Sequence, residues 1–412
     1  MQLVLETCID DTPRVAQLRG LFDLPEQPQM RRVWDVALPL SERDWSIGLI
    51  TGTSGSGKSS IARHCFPSER GFLWMDDLPP WPSQRAVVDG FPSGMAIREI
   101  TEWLSTVGFS SPPAWLQPAH TLSTGQRFRA DLARLLATAQ QQGRIAVCDE
   151  FTSVVDRTVA QIGSAAIAKA VRRQRMRFIA ITCHADVETW LQPEWRFRPE
   201  LAQCVESDSG NRPDVGSESA FVWRSVQPRP QIAIDLVRTT TAAWPIFAPH
   251  HYLSHRINPA AVCFLALHRG EPIGFSAWIN HFSTQGGKRE HRTVVMPDWQ
   301  GVGVGMAMAG TLAGMWRGLG FRATSTTTHP GLIAARYRHP HWLCTRAPSM
   351  ARPRRLPTST PRPPSTRVES PRPTPMLRHA TQRLTAGFRY IGPAMPPTLA
   401  RWLLNGTTPF SG

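Results

Sequence analysis

SIGLITGTSGSGKSS, Ser46 to Ser60, decides how the first half of this 412-residue chain is read. SIGLIT is an apolar run with the composition of a buried strand. A Gly/Ser loop follows, and then a helical pattern beginning IARHCF. The loop fits G-x-x-x-x-G-K-[ST] with Gly52, Gly57, Lys58 and Ser59. Glycine is needed because backbone N–H groups must curl around phosphates. Lysine at 58 reaches the terminal phosphates, and the hydroxyl of Ser59 binds Mg²⁺. The start of the helix adds the positive end of its dipole. Gly52, Thr53, Ser54, Gly55, Ser56, Gly57, Lys58, Ser59 and Ser60 therefore form a candidate nucleotide cradle.

Working outward, four more segments fall in a fixed order. LSTGQRFRADLARLLA (Leu122–Ala137) is a short polar loop running into a helix. IAVCDE (Ile145–Glu150) is an apolar strand ending in two acids. FTSVVD comes directly after it, with Asp156 last. RFIAITCH (Arg177–His184) is a further apolar strand ending in histidine. Acids or a histidine at one strand end are common, but this series is not. It resembles the ABC-type ATPases. LSTGQ is similar to their LSGGQ signature, with Thr124 replacing a glycine while Ser123, Gly125 and Gln126 stand.

That resemblance implies an ATP site. Asp149 would hold the Mg²⁺ water shell, and Glu150 would polarise the attacking water as general base. His184 would sense the γ-phosphate, Asp156 would sit in the D-loop, and Gln84 would be the Q-loop glutamine on the metal side. Ser123, Gly125 and Gln126 would reach ATP held by another subunit, which implies a homodimer or a related partner. RRVWDVALPL (Arg31–Leu40) is similar to the domain's opening strand. No clear aromatic is available to stack on adenine, since Trp34 reads as a core residue. Lys58 and Leu122 are 64 residues apart, so the helical subdomain should be reduced.

A second glycine loop lies in HRTVVMPDWQGVGVGMAMAGTLAGMWRGLG (His291–Gly320). A β-branched strand leads to Gln300, Gly301, Val302, Gly303, Val304 and Gly305, and then to an amphipathic helix. AVCFLALHRGEPIGFSAWIN (Ala261–Asn280) reads as two strands joined by a turn, and ATSTTTH (Ala323–His329) as another strand. A dinucleotide-binding loop is disfavoured, because no acid-tipped strand appears about 20 residues on. The arrangement resembles motif A of the GNAT acetyltransferases. Those six residues would then grip the pyrophosphate of acetyl-CoA. Tyr337, in GLIAARYRHP, becomes the candidate acid for the leaving thiolate. The His250–His251–Tyr252 cluster supplies a candidate base, His251, with Glu290 and His281 as weaker candidates.

The composition sets the frame. The net charge is +15, and Arg346–Gly412 carries eleven arginines against Glu369. The chain has only three lysines, Lys58, Lys169 and Lys288. A polyanionic partner is expected. Seven scattered cysteines without a CxxC pair indicate neither a zinc site nor a disulfide framework. No apolar run suits a membrane span and no secretory signal is visible, so the expected location is the cytoplasm, without membrane insertion.

The expected fold class is α/β. An extension, 1–30, precedes an ABC-type ATPase domain, 31–205. A linker, 206–219, leads to a GNAT-like domain, 220–345. A Pro/Arg-rich disordered segment, 346–375, is followed by a C-terminal segment, 376–412, that could complete the GNAT sheet. The expected function is ATP hydrolysis coupled to acyl transfer onto a macromolecule, with nucleic acid favoured. The alternatives are a protein N-acetyltransferase with a regulatory ATPase and the ATP-binding subunit of an ABC transporter.

Overall fold

The computed structural model describes residues 1–8, 10–23, 29–204, 219–251, 256–281, 286–350 and 384–406. It is mixed α/β and divides into two compact units. The first is Met1–Ile232 with Pro297–Val302, and the second is Ala233–Met296 with Gly303–Gly412.

The first unit is built on a six-stranded sheet. In spatial order its strands are Phe72–Trp74, Ile145–Cys148, Phe178–Thr182, Ile47–Thr51, Trp195–Phe197 and Phe221–Trp223. The first five run parallel and only the last is antiparallel. Parallel strands are covered on both faces, which is why IGLIT and FIAIT are apolar throughout and buried at every position. Helices Lys58–Cys65, Thr124–Gln142 and Arg157–Arg173 supply buried apolar positions. Trp195 fixes a small residue in the strand beside it, since a Cβ at Gly48 would lie 1.9 Å from its indole.

Gln2–Cys8 pairs antiparallel with Gln29–Asp35, and Gln203–Cys204 completes that three-stranded sheet. The expected extension therefore contributes a strand to the first unit. The expected start of the second domain at 220 also moves. Phe221–Trp223 satisfies its backbone groups against Trp195–Phe197, so the boundary falls after Ile232. Between Phe72–Trp74 and Thr124–Gln142, the α-helices are Ile97–Thr106 and Pro112–Trp115. That is the reduced helical part expected from the 64-residue spacing.

The second unit is a seven-stranded sheet. Its order is Asp235–Thr239, Val262–His268, Glu271–Asn280, Gly287–Val295, Arg322–Thr327, Leu384–Tyr390 and Trp342–Met350. The expected hairpin is present, turning through Arg269 and Gly270 at φ 51° and 84°, as a tight primed turn requires. TAGFRYIG does supply a strand, but it lies between Arg322–Thr327 and Trp342–Met350 rather than at the edge. The latter strand runs through Arg346, across the expected start of the Pro/Arg-rich segment. Residues 351–383 lie outside the described residues. Among the described strands of this sheet only Gly287–Val295 and Arg322–Thr327 run parallel, and they pair through Arg289 and Thr324 before parting.

Candidate functional site

The order of the first sheet places three chemically distinct strand ends side by side. Ile47–Thr51 runs into the glycine loop, Phe178–Thr182 leads to His184, and Ile145–Cys148 leads to Asp149 and Glu150. Thr51 is level with Thr182, and Cys148 with Ala180. The N–H of Phe151 donates to Ile181 O at 2.8 Å, tying the acidic turn to the histidine strand. Ligands of parallel sheets bind outside the carboxyl ends of the strands, and this is such an edge.

The loop has the backbone of a cradle. Gly55 and Gly57 have φ of 78° and 91°, a region costly for side-chain-bearing residues. Gly57 caps helix Lys58–Cys65, and a Cβ there would lie 2.6 Å from the Trp34 indole. Trp34 is thus packed beneath the loop, 1 % exposed, as a core tryptophan. A Cβ at Gly52 would meet the Glu200 carboxylate at 2.1 Å. Lys58 Nζ donates to Thr53 O at 2.7 Å, so the ammonium is folded onto its own loop. Among the described residues, the buried Ser56 hydroxyl has no partner. An orphaned hydroxyl and a lysine parked on a carbonyl both suit an arriving anion.

Arg32 is a residue that motif reasoning missed. Its guanidinium donates to Gly55 O at 2.6 Å from the neighbouring strand. Nothing in RRVWD marks Arg32 rather than Arg31, because the distinction is one of strand face.

The acidic pair sits in strained backbone. Glu150 has φ 49° and Thr152 φ 67°, and Thr152 is a β-branched residue with no solvent exposure. Such outliers cost roughly 1–3 kcal/mol each and gather at working sites. Asp149 Oδ1 accepts the Glu150 N–H at 2.8 Å, while the Glu150 side chain is exposed. His184 and Ser59 are half-buried. Among the described residues, no cluster of three His, Cys, Asp or Glu offers a metal site on its own. Ser59 and Asp149 therefore suit a cation that brings phosphate oxygens with it. Gln84 lies exposed in a turn after Phe72–Trp74.

The signature residues form a helix cap. Ser123 Oγ accepts from Gln126 N at 3.3 Å, and Gln126 Oε1 accepts from Ser123 N at 3.2 Å. This reciprocal box starts helix Thr124–Gln142. Gly125 faces Val159 and the Asp298 carboxylate. Among the described residues, no hydrogen bond joins Ser123–Gln126 to the nucleotide loop. Asp156 likewise caps helix Arg157–Arg173, accepting from Thr158 and Val159. Arg129, 2 % exposed, donates to Gly108 O at 3.0 Å and Asp298 O at 2.8 Å, and also to Pro297 O. Burial lowers it to about 10, against the pull of Asp298 and Asp156.

The second glycine loop is divided. Gln300, Gly301 and Val302 belong to the first unit. There Gln300 Oε1 accepts from Ser110 N at 2.6 Å, and a Cβ at Gly301 would meet Gly108 Cα at 2.7 Å. Gly303, at φ 106°, caps helix Val304–Gly318 in the second unit, and a Cβ there would meet nothing. Gly303 thus faces open space, whereas Val304 is buried and Gln300 and Gly301 are engaged.

The proposed transfer residues lie apart. Tyr337 is exposed, with its hydroxyl 3.2 Å from Cys344 Sγ and its ring edge-on to Phe388. The bond from Cys344 raises its phenol. His251 is 5 % exposed and packs edge-on against Trp244. Tyr252 lies outside the described residues.

The two parallel strands part at a buried polar network. Arg336, fully buried, donates to Glu290 Oε2 at 2.6 Å and to Ser325 Oγ. Glu290 Oε1 accepts from Thr293, which meets Ser276 at 3.2 Å. Burial alone would raise the Glu290 carboxyl, but Arg336 and the hydroxyl bonds together hold it below the ordinary carboxylate value. A base held ionised by a guanidinium is a poor proton acceptor.

No protein-family model matches this chain, and no curated protein matches it. Among solved structures, it is similar to the ATP-binding cassette MJ0796 in a dimeric post-hydrolysis state bound to ADP and Pi. The identity is 14%, over 37% of this chain and 80% of that one, with a TM-score of 0.30. It is also similar to cbiO1 from Clostridium perfringens, part of the ABC transporter complex cbiONQ. There the identity is 18%, over 37% and 72% of the two chains, with a TM-score of 0.28. Scores of this size decide nothing about activity, so the weight rests on the geometry of the site.

Proposed function

We propose that the first unit is an ABC-type ATPase that binds MgATP and hydrolyses it as a homodimer. The carrying observation is the adjacency of the three parallel strand ends that present the glycine loop, His184 and the Asp149–Glu150 pair. Lys58 would exchange the Thr53 carbonyl for phosphate oxygens, and Ser56 would gain its missing partner. Ser59 and Asp149 would hold Mg²⁺, which neutralises phosphate charge when bound. Glu150 would orient the attacking water and take its proton, with His184 beside the terminal phosphate. Ser123, Gly125 and Gln126, held at the start of their own helix, would complete the site of a second copy. A consumer of MgATP is expected in the cytoplasm.

Glu150→Gln tests the reading. The variant should bind ATP as the unaltered protein does, lose about a hundredfold or more in hydrolysis, and become dimeric in ATP by light scattering. Retained hydrolysis, or a monomer at saturating ATP, overturns it.

A second reading concerns the other unit. The diverging parallel strands and the helix start at Gly303, which faces open space, favour acetyl-CoA-dependent acyl transfer. The arginine-rich segment favours nucleic acid over protein as the acceptor. Engagement of Gln300 and Gly301 counts against a full six-residue grip, and the burial of His251 counts against it as the base. A transporter's ATP-binding subunit is the remaining alternative, disfavoured by the short helical part.

A further inference from the structure

We propose that a cavity in the second unit binds a small aromatic carboxylate. The cavity has a volume of about 380 Å³ and is shallow, largely open to solvent. Met306, Ala307, Gly310, Thr311 and Gly314 form its floor along helix Val304–Gly318. His339, His341 and Tyr390 line the rim, and Met395 adds a soft wall. The small residues Ala307, Gly310 and Gly314 leave room for a planar ring, and a thioether beside an aromatic edge is favourable.

The polar groups say what the ring must carry. Tyr390 is 8 % exposed, and it lines the cavity. A Cβ at Gly314 would lie 3.8 Å from its hydroxyl, so the O–H points at the floor. His339 Nδ1 accepts the His341 N–H at 3.1 Å. In the neutral ring this leaves the proton on Nε2, a second donor. Burial raises the Tyr390 phenol, offset only in part by the Arg317 guanidinium, which bonds Gly392 O close by. Among the described residues, no acid lines the cavity. Two donors in a positive field, over a mostly apolar floor, suit an anionic acceptor on a flat hydrophobic body.

This place is separate from the parting of the parallel strands. Thr324 is level with Arg389 and Thr327 with Ala386, so Tyr390 lies at the paired end of those strands.

The test uses the full chain and 2-naphthoate, followed by calorimetry and by tryptophan fluorescence. Trp342 is a reporter, with its ring centroid 5.2 Å from that of Tyr390. Saturable binding is expected. The cation 2-naphthylmethylammonium should bind about tenfold more weakly or worse, and the non-planar cyclohexanecarboxylate more weakly too. A Cβ at Gly310 meets nothing within 4 Å, so Gly310→Leu should fold normally and fill the floor. It should abolish binding at an unchanged or higher melting temperature. Tyr390→Phe should weaken naphthoate about tenfold. No saturable binding at millimolar naphthoate, equal binding of the cation, or unchanged binding by Gly310→Leu overturns the proposal.

Discussion

His291 occupies the extra position of a bulge, where Ala277 faces Arg292 but Trp278 faces Glu290. Its Nε2 accepts the Asn258 N–H at 3.3 Å, which only a neutral ring can do. Burial, with Arg292 and Arg289 nearby, lowers it to about 4. The ordinary histidine value is about 6.5. Between these values the unfolded chain takes up a proton that the folded chain refuses. Stability is therefore full above about pH 6.5 and falls as the pH drops toward 4. Urea midpoints of the full chain should show this slope, and His291→Gln should flatten it. Glu290 works in the same direction in a lower window, below the ordinary carboxylate value, so the two are separable. A bulge is a matter of register and leaves no sign in KREHRTVV. The φ values of Glu150 and Thr152 were equally hidden, although DE at a strand end was legible. Chemistry shows in residue type, whereas backbone strain does not.

The elements were legible where periodicity is strong. IGLIT, IAVC and FIAIT read as strands because both faces are buried, and the capping box of Ser123 and Gln126 is a local signal. The illegible part is what joins elements. Arg336 of helix Pro330–Arg338 bridges Gly287–Val295 and Arg322–Thr327 through Glu290 and Ser325, and stacks 4.4 Å over Trp342. In the sequence it is merely the arginine before Tyr337. Removing it strands a buried carboxylate. Arg336→Met should cost about 3–5 kcal/mol by denaturant unfolding. The double variant Arg336→Met/Glu290→Leu should recover most of that, because neither charge then remains buried. If the double variant is as unstable as the single, stacking on Trp342 dominates over the ion pair.

At the scale of the molecule, charge is the feature composition shows and the fold does not explain. Nine arginines lie between 346 and 383, and they motivate the nucleic-acid reading. Duplex DNA affinity of the full chain should fall steeply with salt, and deleting 351–375 should reduce that slope. Binding that ignores salt, or ignores the deletion, removes nucleic acid as the favoured partner. The sequence reads the segment beyond this stretch as one that could complete the sheet, but composition does not say which strands it joins. Met350 is paired with Leu384, and Leu384–Tyr390 is an interior strand of the sheet. The stretch is therefore closed at both ends on one framework. Severing it would release nothing: the piece from Leu384 onward would stay clasped between two strands, a split protein held together by its own sheet.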